Sequence, residues 1–136
     1  MIKIMRKVAA VIVLRKDGKF VILKRSAKKD VHATLWNLPS GGIEKWETIE
    51  DASKREVVEE TGLKIKDVIV GSSEIVDAGK YNLEINYVLA KTDSDQVMLN
   101  DENIEYKWIH PDESFDYRFA VPKEIVERVL KGFKLL

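Results

Sequence analysis

The chain contains no cysteine, which removes both a disulfide framework and thiol chemistry from consideration. It has no surplus of either charge. Its 23 lysines and arginines balance 23 aspartates and glutamates, which argues against broad electrostatic binding to long nucleic acid. A small phosphate-bearing ligand needs only a local positive patch. No apolar run approaches the length of a membrane span. The opening Met1-Ile2-Lys3-Ile4-Met5-Arg6-Lys7 is too short in apolar residues for a signal peptide, so a cytoplasmic protein is the expectation. Internal repeats and linkers are also lacking. The 136 residues therefore predict one domain, residues 1–136, long enough to bury most of its apolar surface.

The apolar residues that are present fall into short runs. Residues 5–14 and 19–25 are strand-like, and the Asp17-Gly18 pair between them favours a hairpin turn. Residues 26–34 read as a polar loop. Ile65–Val76 and Leu83–Lys91 are two further strands joined around residues 77–80, and Ile104–His110 is the last. Val121–Lys131 predicts a closing helix with Pro122 in its first turn and one apolar face from Ile125, Val126, Val129 and Leu130. Strands with a helix on either side predict a mixed sheet in an α/β/α sandwich.

Residues 41–63, reading GGIEKWETIEDASKREVVEETGL, hold the strongest chemical signal. Thr48 can cap a helix there, with Asp51 as its partner in a capping box, and Gly62 can end it in the left-handed conformation. In that helix Glu56, Glu59 and Glu60 share a face at i, i+3 and i+4. An isolated E-x-x-E-E is ordinarily a solvated face. Here the stripe begins with Ile49, Ala52 and Ser53, so it starts apolar and ends acidic, while Val57 and Val58 predict packing on two further sides. Carboxylates crowded beside buried surface need a positive partner. Oxygen donors with no thiolate or imidazole among them suit magnesium or manganese rather than zinc.

The same segment resembles the Nudix box, G-x5-E-x7-R-E-U-x-E-E-x-G-U, where U is a bulky aliphatic residue. Gly41, Glu47, Arg55, Glu56, Val57, Glu59, Glu60, Gly62 and Leu63 fill its fixed positions without departure. The upstream strand Phe20–Ser26 and Leu35-Trp36-Asn37-Leu38-Pro39 are also similar to the family, and the likeness spans residues 5 to 110. Ser40 and Trp46 stand where glycines are frequent, outside the defining pattern. The resemblance implies a metal-dependent hydrolase of a nucleoside diphosphate linked to a further group. It implies Glu56, Glu59 and Glu60 as metal ligands, joined by the Gly41 carbonyl, and an ion pair between Arg55 and Glu47. The general base is one of the box glutamates or a glutamate from a later loop. An extra glutamate before Trp108 can join the metal site in related enzymes, and Glu102 is favoured for this over Glu105, which falls inside the predicted strand.

Around the box, Lys24, Arg25, Lys28 and Lys29 form a basic cluster in which Arg25 is the candidate phosphate contact. His32 is a further loop candidate. Trp36 and Trp108 are expected in the core, and Trp46, in a loop, is a candidate for stacking on a base. No proline lies between Pro39 and Pro111, which counts against the ADP-sugar branch of the family. Tyr81 lies near a tyrosine often found in dinucleoside polyphosphate hydrolases. The short chain most resembles the nucleoside triphosphate pyrophosphohydrolases, some of which act on oxidised nucleotides. Beside that reading stand a dinucleoside polyphosphate hydrolase and a non-catalytic nucleotide-binding regulatory module, the latter disfavoured by the complete box. A monomer or a homodimer is expected.

Overall fold

Continuous β-branched sequence makes strands that are buried on both faces, and the Ala9–Val13 part of β1 (Ile4–Leu14) is built this way at the centre of the sheet. The computed structural model describes residues 2–26 and 35–136. β1 pairs in parallel with β6 (Tyr81–Lys91) along its whole length, from Ile4↔Tyr81 to Leu14↔Lys91. β5 (Lys66–Asp77) pairs antiparallel on the far side of β6 and forms one edge. The other side of β1 is shared. Val8–Ala10 pair with β4 (Ser40–Gly42), and Leu14 meets Phe20 at the start of β2 (Phe20–Arg25). β2 in turn pairs antiparallel with β3 (Trp36–Asn37) and with β7 (Asn103–Ile109).

Alternation along β1 and β2 feeds two cores. Ala10, Ile12, Phe20 and Ile22 face the side covered by α2 (Lys123–Gly132), where Trp36, Tyr87, Val129 and Leu130 complete the cluster. Val11, Val13, Val21 and Leu23 face the side of α1 (Ile49–Thr61), with Val57, Leu63 and Val88. The architecture is thus the expected mixed sheet between helices. Truncating Leu63, 1% exposed, to alanine would cost about 2–5 kcal/mol through lost burial and a cavity. No helix among the described residues is long and apolar enough to cross a membrane.

The central helix is specified as its sequence predicts. The Asp51 amide donates to Thr48 Oγ1 at 3.0 Å, the Thr48 amide donates to the Asp51 carboxylate, and Gly62 ends the helix at φ 73°. Its stripe runs as expected through Ala52 and Ser53, both fully buried, to Glu60. Val58 departs from expectation and is 48% exposed. Nine residues on from Ile49, it points about 180° away from the face that meets the sheet, so only Val57 packs.

Other boundaries shift for local reasons. The closing helix begins at Lys123, because a residue before proline is held extended, so Val121 cannot start it and Pro122 serves as its N-cap. β6 starts two residues earlier than predicted, at Tyr81, where the ladders to Ile4 and Asp77 keep it extended. Two elements were not anticipated from sequence, β3 and β4. With two and three residues they are too short for any periodicity. A short 3-10 helix, Pro111–Asp116, follows β7.

Candidate active site

α1 and the loop before it are fastened together by one side chain. The Arg55 guanidinium grips Glu47 with both ends of its fork, Nε to Oε2 and Nη2 to Oε1, each at 2.7 Å. Its Nη1 donates to Glu56 Oε1 at 2.7 Å and lies 3.5 Å from Glu59, and its Nη2 also reaches the Gly42 carbonyl at 2.9 Å. The Glu44 amide donates to Glu47 as well. Held this way, the Glu47 carboxyl drops to about 2 and the Arg55 pKa rises, the mutual hydrogen bonds being the main cause of both. The ion pair expected between these two residues is present.

The other glutamates occupy graded environments. Glu59 is largely exposed, Glu56 is mostly covered, and Glu60 is only 7% exposed. The Ser40 amide donates to Glu60 Oε2 at 2.9 Å. Even so, the Glu60 carboxyl is raised to about 8, chiefly by burial, with Glu56 and Glu102 contributing and Arg25 opposing them. Burial also raises Glu56; Arg55 counteracts this, while Glu59 and Glu102 add to the rise. Gly41 shows why a glycine stands at this point of β4, because a Cβ built there would collide with the Glu56 carboxyl.

Glu102 comes from the turn before β7, and its charge acts on both Glu56 and Glu60, whereas Glu105 lies within β7 opposite Lys24. Four carboxylates thus share one neighbourhood, with Arg55 countering Glu56 and Glu59 and Arg25 acting on Glu60. Among the described residues no three of them converge on a single point as a ready-made cation site. Their donor chemistry and uncompensated charge nevertheless fit a hard divalent cation, to which hinged glutamate side chains could turn. Arg55 engages Glu47 with its fork, and Glu60, opposed only by the Ser40 amide and Arg25, stays raised by its burial.

Beside this cluster, on the α2 face of the sheet, lies a cavity of about 590 Å³. Arg25, Ser40 and Tyr81 belong to its lining, and hydrophobic side chains from β1, β6 and α2 form most of the rest. Ser40 joins the two regions, since its amide holds Glu60 and the residue itself lines the cavity. Tyr81 carries the Arg6 guanidinium 4.4 Å above its ring. Trp46 is 82% exposed and does not line the cavity. Trp36 packs edge-on against Tyr117, and Trp108 packs against the α1-side core under Arg15, as expected of core aromatics. Lys28, Lys29 and His32 lie outside the described residues. Sequence reasoning missed the Ser40 contact, because a backbone amide leaves no signature in residue type.

The family model described as NUDIX domain matches residues 4–129, and the chain belongs to this family of hydrolases. Nucleoside triphosphatase NudI of Escherichia coli is 26% identical over 130 residues, covering 88% of this chain and 92% of that protein. Among solved structures, a MutT protein from Methanosarcina mazei superposes with a TM-score of 0.80 at 21% identity, covering 98% of this chain and 96% of that one. A C. elegans Ap4A hydrolase superposes at 0.76 with 24% identity, covering 95% of each chain. At these identities the two structures establish the fold. Hydrolases of the family act on nucleoside diphosphates linked to a further group.

Proposed function

We propose that this hydrolase is a divalent-metal-dependent nucleoside triphosphate pyrophosphohydrolase. It converts a nucleoside triphosphate, oxidised forms included, to a nucleoside monophosphate and pyrophosphate. The observation that carries this reading is the junction at Ser40, where the acidic cluster meets an apolar cavity of about 590 Å³. A nucleotide needs both, one for its phosphates and one for its base. The NudI relative, matched over 92% of its length, supports the triphosphate assignment.

In this reading Glu56, Glu59, Glu60 and Glu102, with the Gly41 carbonyl, would hold magnesium, or manganese in its place. Such an ion neutralises phosphate charge and polarises the attacking water. The chain's own residues do the positioning. The Arg55 fork fixes the Gly41–Gly42 loop against α1, and Arg25, whose charge is felt at Glu60, faces the phosphate chain. Water oxygen bonds to the α- or β-phosphorus while the P–O bond of the α–β phosphoanhydride breaks, its electrons leaving with the pyrophosphate or the monophosphate. A box glutamate or Glu102 takes the water's proton. Trp46 is available to stack on parts of a substrate that project from the cavity. One domain, a cytoplasmic setting, a monomer or homodimer and a small diffusible nucleotide complete the picture.

A second reading, dinucleoside polyphosphate hydrolysis, draws on Tyr81, which lines the cavity beneath Arg6. Phosphate release, after added pyrophosphatase, over a panel of nucleoside triphosphates and dinucleoside polyphosphates separates the two. Turnover of triphosphates only with magnesium or manganese, lost in Glu59→Gln with the fold unchanged, is expected. Turnover without any divalent ion would refute it.

A further inference from the structure

Successive residues of β4 face opposite sides of the sheet. A Cβ on Gly41 would meet the Glu56 carboxyl, so that position faces α1 and the acidic cluster. Its neighbour Ser40 faces the other way. The pairing gives the same answer independently. Ser40 lies directly opposite Ala10 of β1, and directly opposed residues share a face. Ala10 belongs to the core on the α2 side, and both residues line the cavity. The half-buried Ser40 side chain thus projects into the cavity, while its own amide donates to Glu60 at 2.9 Å. That bond and the pairing with β1 hold the hydroxyl in a fixed place at the border of the two regions.

That border determines what the hydroxyl meets. A nucleotide joins phosphate, sugar and base in that order. With the phosphates at the glutamates and the base between apolar walls, the group at the junction is the sugar. Val8, Ala10 and Leu38 line the cavity around Ser40 and offer a sugar hydroxyl no side-chain partner. A hydroxyl that leaves water there needs one. The serine oxygen both donates and accepts, so it can pair with a sugar hydroxyl in either sense. It brings no charge to a phosphate, and its side chain lies on the opposite face of the sheet from Glu56.

We propose that Ser40 is a specificity-determining residue whose side-chain hydroxyl hydrogen-bonds a hydroxyl of the substrate's sugar. The enzyme thereby distinguishes ribonucleotides from their deoxy forms. The inference rests on the reading of the protein as a nucleotide hydrolase with its base in the cavity.

Ser40→Ala tests it, because alanine keeps the Cβ and the amide that holds Glu60 and removes only the oxygen. Wild type and variant are compared in kcat/KM over one triphosphate in its ribo, 2′-deoxy and 3′-deoxy forms, and in calorimetric affinity for the matching monophosphates. The wild type should lose about three- to tenfold in kcat/KM, chiefly through KM, when the 2′- or the 3′-hydroxyl is missing. Whichever deletion matters identifies the hydroxyl that Ser40 holds. The variant should lose the same factor on the ribo form, so that its ratio of ribo to that deoxy form falls to near unity. Monophosphate affinities should change in parallel. A wild type that treats all three sugars alike overturns the proposal. A variant that keeps the wild-type ratio overturns it too, as does an equal loss on every sugar, since the oxygen would then serve the phosphates or the packing. Failure of the hydrolase reading looks different, namely a wild type that turns over no nucleotide. Monophosphate binding then decides alone: a sugar preference in the wild type that disappears in the variant upholds the role, and any other result overturns it.

Discussion

Glu60→Gln should make the metal-free protein more stable while abolishing hydrolysis. Glutamine keeps the shape of the side chain and can still accept the Ser40 amide, but it carries no charge into a site that is 7% exposed. The magnitude follows from the carboxyl's pKa of about 8 in the folded protein, against about 4.5 for an ordinary glutamate. Because the folded value is the higher one, the folded state binds the proton more tightly than the unfolded chain. The carboxyl is therefore harmless below about pH 4.5, and a penalty accumulates as pH rises from there to about 8. Linkage gives under about 1 kcal/mol at pH 5 and about 3 kcal/mol at pH 7. For a chain of this size, 3 kcal/mol corresponds to roughly 10 °C in melting temperature. Thermal unfolding followed by circular dichroism in EDTA should show the wild type losing stability between pH 5 and pH 8 and the variant losing much less. Magnesium should restore the wild type at pH 8 and leave the variant nearly unchanged. Identical pH profiles for the two proteins, or a variant that melts below the wild type at pH 8, would refute the reasoning.

Other perturbations address separate parts of the site. Gly41→Ala places a Cβ on the Glu56 carboxyl, and the forced displacement should lower kcat/KM by about 100-fold with the helix intact by circular dichroism. Arg55→Lys keeps the charge but cannot span Glu47, Glu56 and the Gly42 carbonyl, so kcat/KM should fall by at least about tenfold in steady-state kinetics. Thr48→Ala removes the cap of α1 and should cost about 1 kcal/mol in urea unfolding, with the active residues untouched. Chelation should stop phosphate release, and added magnesium or manganese should restore it.

Much of this was legible in the chain because the relevant signals are local. The continuous apolar runs of β1 and β2 report strands covered on both faces, and the capping box and Gly62 mark both ends of α1 within its own sequence. The acidic stripe on that helix follows from residue spacing alone. Other features depend on what the chain meets after folding. Val58 reads as a packing residue until the sheet determines which side of the helix is covered. β3 and β4 exist because β2 and β1 offer them edges, and the Ser40 amide becomes a donor to Glu60 only through that pairing. The cavity draws on strands far apart in sequence and on α2, so no window of residues could reveal it.

The parallel ladder that matches Ile4 with Tyr81 and Leu14 with Lys91 also bears on how the molecule forms. Its partners are distant along the polypeptide, so a large loop must close before the middle of the sheet can exist. A growing chain released only as far as Leu63 already contains the whole acidic box, yet lacks β6, which supplies part of the cavity wall. Refolding should accordingly be paced by that late long-range closure, and the box should become competent only when the last-arriving central strand has docked.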